Sequence, residues 1–80
     1  MNVLKLVEYR KKANMTQFEV SKVLNVSQSY YSRLEKGKNF PDAQQIIQLC
    51  KIFKCTPNDL FGVHGVYEVA FSGLIDKNEN

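Results

Sequence analysis

VSQSYYSRLEKG, residues 26–37, is built from mediocre helix formers, yet it carries a helix start, a helix stop and a two-sided pattern. Ser27 can cap the start, with Val26 and Tyr31 flanking it as staple partners, although Tyr30 stands where a capping box would place Glu. Gly37 can take the left-handed conformation that ends a helix after Lys36. With Gln28 as the first helical residue, Tyr31 and Leu34 share an inward face. Gln28, Ser29, Ser32, Arg33 and Lys36 then form one continuous outward stripe. That stripe holds no carboxylate and no long aliphatic group. Its amides, hydroxyls and guanidinium are the donors and acceptors suited to base edges and phosphates, Gln pairing with adenine and Arg with guanine. A merely solvated face is the bland alternative. Glu35 lies to the side of the stripe and calls for a separate explanation.

Working outward, the same punctuation recurs. Thr16-Gln-Phe-Glu19, Asp42-Ala-Gln-Gln45 and Thr56-Pro-Asn-Asp59 are capping boxes, the last with Pro57 at the first helical position. Met15 with Val20, and Cys55 with Leu60, fit as hydrophobic staples. Asn14 and Asn25 suit left-handed helix ends. The spacing predicts helices near 2–12, 17–24, 28–36, 43–53 and 57–61, joined by loops of a few residues, hence a compact all-α bundle. Val3, Leu6, Val7 and Tyr9 form one apolar stripe, and Val20, Val23 and Leu24 a second. Ile46, Leu49, Cys50 and Phe53 form a third, with Leu60 and Phe61 closing the base. Phe18 fits either a rim contact or a core plug.

Composition bounds the rest. The chain has 80 residues, 44% apolar and 24% charged, and carries +3 overall. One domain is expected, with no room for a separate catalytic one. Residues 1–62 hold ten Lys or Arg against five Asp or Glu, whereas 63–80 hold one Lys against three acids. A basic body is compatible with an anionic partner but does not demand one. No apolar run reaches the ~20 residues of a membrane span. The N-terminal basic cluster follows the apolar residues, the reverse of a secretory signal, so a cytoplasmic location is expected. Cys50 and Cys55 form no CxxC pair and have no His–Cys cluster; both are expected to be reduced core or near-core residues, with no metal. The single histidine, His64, lies in a Gly-flanked stretch without a nucleophile pattern, so an enzyme is not expected, nor any cofactor.

Helices 17–24 and 28–36 and the turn Asn25-Val26-Ser27 make a helix-turn-helix, whose second helix enters the major groove in proteins of that design. Arg10, MTQFEV (15–20), NVSQSYYSRLEKGKNFPD (25–42) and CTPNDLF (55–61) together resemble the phage-repressor and Cro-type helix-turn-helix DNA-binding family, over residues 3–61. The resemblance implies a five-helix lambda-repressor-like bundle binding double-stranded DNA. It implies base contacts from Gln28, Ser29, Ser32 and Arg33. It implies phosphate contacts from Gln17, Lys36, Lys38 and Asn39, with Gln17 also bracing Gln28. Arg10 and Glu35 match a partly buried ion pair linking the first helix to the third, which would account for the off-face carboxylate.

Four positions depart from the family pattern. Tyr31 replaces an Ile or Val and must bring its hydroxyl a partner. Ser21 replaces a small apolar residue, and Lys54 stands where a turn favours Gly. Tyr30 can touch a sugar or thymine methyl, or cover the core edge.

The expected function is a sequence-specific transcriptional regulator, repressing as a homodimer on a palindromic operator. A protein–protein module, antirepressor or adaptor, is the rival. Residues 1–62 form the expected DNA-binding domain. Residues 63–80 form an expected dimerisation tail, a strand or a short helix over 66–75 with a frayed end.

Overall fold

The computed structural model describes residues 4–63. Its order is α1 (Leu6–Lys12), α2 (Gln17–Leu24), α3 (Gln28–Lys36), α4 (Ala43–Phe53) and α5 (Pro57–Phe61). Among the described residues every regular element is a helix, so the architecture is the all-α bundle. The Thr16, Asp42 and Thr56 boxes close reciprocally, and the Ser27 hydroxyl accepts from the Tyr30 amide at 3.0 Å. Each box satisfies two backbone donors that a helix start leaves orphaned, which is why short helices of poor propensity hold here.

The stops are equally local. Asn25, Lys54 and Gly37 end α2, α4 and α3 in the left-handed region at φ of 62°, 54° and 76°. Lys54 lacks the freedom of the glycine that such a position favours.

α1 is the exception. It starts at Leu6, whereas the apolar pattern predicted a start near residue 2. The Lys5 amide donates to the Leu60 carbonyl at 2.9 Å, and Lys5 provides no side-chain cap. A tertiary bond to α5 therefore holds the entering chain outside the helix. This placement buries Leu4, a residue the periodicity passed over.

The core gathers Leu4, Leu6, Val20, Leu24, Tyr31, Leu34, Leu49, Cys50, Phe53 and Leu60. Tyr9 stacks on Phe53 with centroids 6.5 Å apart, joining α1 to α4. Val23 is not in this core: it is 59% exposed, because the inward face of α2 is centred between Val20, Ser21 and Leu24, and Val23 lies beyond its edge on the side away from Ser21. Phe18 is a rim residue at 53% exposure, with the Lys22 ammonium 5.5 Å from its ring centre. Ser21 is buried, and its hydroxyl donates to the Phe18 carbonyl at 2.7 Å, satisfying itself within its own helix.

Both cysteines are free; Cys50 is buried and Cys55 half-buried. Among the described residues no group of three metal-ligating side chains assembles, and no helix is long and apolar enough to cross a membrane. Val3, His64 and the expected strand or helix after residue 63 lie outside the described residues.

Candidate nucleic-acid interface

The turn Asn25-Val26-Ser27 sets α3 across α2. The Val26 amide donates to the Ser21 carbonyl at 3.0 Å, so the chain folds back tightly before α3 begins. Tyr31 and Leu34 anchor α3 inward, at 0% and 3% exposure. Burial of two such side chains fixes the helix rotation, since turning it would expose apolar surface at about 25 cal/mol per Å². With that rotation, Gln28, Ser29, Arg33 and Lys36 are all exposed on one side, and Ser32 is half-buried beside them. Lys38 and Asn39 are exposed in the loop that follows. Among the described residues Arg33, Lys36 and Lys38 enter no salt bridge.

Behind this face lies a different arrangement. Glu35 is 5% exposed. Arg10 Nε donates to Glu35 Oε2 at 2.6 Å and Nη2 to Oε1 at 3.2 Å, while Nη1 donates to the Met15 carbonyl at 3.1 Å. Gln17 Nε2 donates to Glu35 Oε1 at 2.9 Å. One carboxylate on α3 thus ties α1 and α2 to it. Burial opposes the charge on Glu35, but the hydrogen bonds from Arg10 and Gln17 outweigh it and hold the carboxyl below its ordinary range. The Arg10 guanidinium is held above its ordinary value by the same carboxylate, against its own burial.

Tyr31 completes the seam. Its hydroxyl is buried and finds no hydrogen bond of ordinary geometry. Burial first, and a hydrogen-bonding interaction with the Glu35 carboxylate second, push its phenol far above the usual range. The hydroxyl thus faces the Arg10–Glu35 pair, outside ordinary hydrogen-bond geometry.

Among the described residues Gln17 makes no hydrogen bond to Gln28. Its amide nitrogen turns inward to Glu35, which leaves its carbonyl oxygen as the group not engaged there. An oxygen acceptor is the wrong partner for a phosphate; the second Nε2 hydrogen is the donor that could serve. Arg33 Nε donates to Asn39 Oδ1 at 3.0 Å, and its guanidinium carbon lies 5.9 Å from the Tyr30 ring centre. Tyr30 donates its hydroxyl to Gln45 Oε1 at 3.0 Å. Of the two roles left open for Tyr30, the ring covers the core edge and also faces Arg33. Gln45 thus serves both its own capping box and the Tyr30 hydroxyl, whereas the Tyr30–Arg33 approach follows the spacing of three on one helix.

Both thiols are biased toward their neutral form. Burial, with Cys50 beside it, pushes Cys55 up to about 11, and Cys50 is pushed up as well.

Known helix-turn-helix proteins place their second helix in the major groove of duplex DNA, and α3 is the corresponding helix here. The family model described as Helix-turn-helix, HTH_3, matches residues 6–60. The chain belongs to that family of Cro/C1-type domains and is a DNA-binding transcriptional regulator. No curated protein matches it.

Proposed function

We propose that the chain is a sequence-specific repressor that binds a palindromic operator as a homodimer, with α3 in the major groove. Gln28, Ser29, Ser32 and Arg33 read base edges; Gln17, Lys36 and Lys38 hold phosphates, and Asn39 flanks them. Residues 1–62 form the DNA-binding domain, and residues 63–80 pair two copies. No catalytic role, cofactor or metal is assigned, and the place of action is the cytoplasm. The observation that carries the reading is the exposure of Gln28, Ser29 and Arg33 together on one side of a helix whose other side is locked into the core. Two such helices one turn of duplex apart, ~34 Å, would read an inverted repeat.

Selection from random duplex DNA at low salt, with sizing of the complex, tests this. An enriched inverted repeat bound by two chains is the expected result. Affinity should then fall steeply with salt, as phosphate contacts release counterions. Enrichment of no sequence would contradict the reading and favour a protein-interaction module.

A further inference from the structure

We infer that Asn39 and Tyr30 are positioning residues that hold Arg33 ready to read one base pair through the end of its guanidinium. This rests on the reading of α3 as the groove-entering helix.

Arg33 is gripped from two sides. Its carbonyl accepts both the Lys38 amide at 3.0 Å and the Asn39 amide at 3.3 Å, folding the loop back over the end of α3. The fold-back sets the Asn39 side chain against Arg33, where Oδ1 accepts from Nε at 3.0 Å. The Tyr30 ring lies one helical turn earlier on α3, with the guanidinium carbon 5.9 Å from its centre. The ring does not swing freely. Its hydroxyl is fixed on Gln45 Oε1, the same oxygen that accepts the Asp42 amide at 3.1 Å in the α4 capping box. The start of α4 therefore sets the ring, and the ring and the loop together set Arg33.

Two consequences follow from donor chemistry. A guanidinium has five N–H donors in a fixed fork. Asn39 occupies the Nε donor, which closes the side-on edge made by Nε and Nη2 and leaves the Nη1/Nη2 end for a bidentate acceptor such as guanine O6 and N7. Moreover, an amide oxygen is neutral, so it fixes the direction of Arg33 without cancelling its charge. A carboxylate there would do both. Asn39 thus acts on sequence discrimination through Arg33 rather than by holding a phosphate of its own.

The experiment has two arms. In the free protein, the Arg33 15Nε–1Hε resonance is followed by NMR in wild type, N39A, N39D and Y30F. A restrained, slowly exchanging Nε–H is expected in wild type and N39D, freely mobile in N39A and intermediate in Y30F. Equal mobility in wild type and N39A would overturn the inference without any DNA present. In the second arm, affinities are measured for the selected operator and for versions changed one base pair at a time. N39A should lose about threefold to tenfold of discrimination at the base pair that R33A also relaxes, and none elsewhere. R33A/N39A should match R33A, since the effect passes through Arg33. N39D should weaken binding to every sequence by charge repulsion yet keep that discrimination. Uniform weakening by N39A, or additivity with R33A, would overturn the inference in favour of a phosphate contact. A restrained Nε–H in a protein that enriches no sequence would overturn it through the functional reading itself, a failure distinct from the others.

Discussion

Two arginines on opposite sides of α3 meet different fates. Arg10 has a donor on each of its three nitrogens engaged: two bonds go to Glu35 and one to the Met15 carbonyl. Arg33 has one engaged, on the neutral Asn39 oxygen. Arg10 is cancelled by a carboxylate and sunk between helices, with side-chain exposures of 16% for Arg10 and 4% for Glu35. Arg33 keeps its charge and most of its fork at the surface. The same side chain is thus structural where an anion of its own chain fills the fork, and available for recognition where a neutral acceptor merely aims it.

The sharpest way to break this contrast is to remove one member of the buried pair. E35A should cost about 3–5 kcal/mol in urea unfolding, because Arg10 and Gln17 would be left facing a void. The pair also predicts a pH dependence. A carboxyl held below its ordinary range stabilises the fold fully above that range and loses the contribution as pH falls through its lowered folded value. Wild type should therefore weaken in acid more than E35Q does.

R33A tests the other side. It should leave unfolding within ~0.5 kcal/mol of wild type, as surface changes usually do, yet lose ~1–3 kcal/mol of discrimination at one base pair. A large stability loss in R33A would erase the distinction between the two arginines.

Two smaller effects sharpen it at the edges of the seam. K54G should raise stability by about 0.5–1 kcal/mol in thermal melts, relieving a left-handed lysine at φ of 54°. Y31F should raise it by roughly 0.5 kcal/mol, because the deleted hydroxyl is buried outside ordinary hydrogen-bond geometry. A fall of more than about 1 kcal/mol in Y31F would mean that the hydroxyl supports the Arg10–Glu35 pair after all.

These positions also mark where the sequence could be read and where it could not. Thr16–Glu19, Asp42–Gln45 and Thr56–Asp59 act over three residues, so their boxes were visible as spacing, and they place four helix starts together with Ser27. The rotation of α3, which puts Gln28 and Arg33 outward, follows from Tyr31 and Leu34 alone. The start of α1 was not visible, because it depends on Lys5 meeting Leu60 across the bundle. Val23 looked like core because an apolar residue at helical spacing carries no mark of exposure. The Gln17–Glu35 and Tyr30–Gln45 bonds join residues 18 and 15 apart, and only packing decides such pairs. At Gln17 that packing turns the amide nitrogen toward Glu35.

The most direct measurement is an NMR titration of the protein with its selected duplex, following backbone and side-chain resonances together. The largest shifts are expected at Gln28, Ser29 and Arg33, with the Arg10 guanidinium still bound to Glu35 throughout. Shifts concentrated on α4 and α5 while the exposed side of α3 stays silent would contradict that expectation.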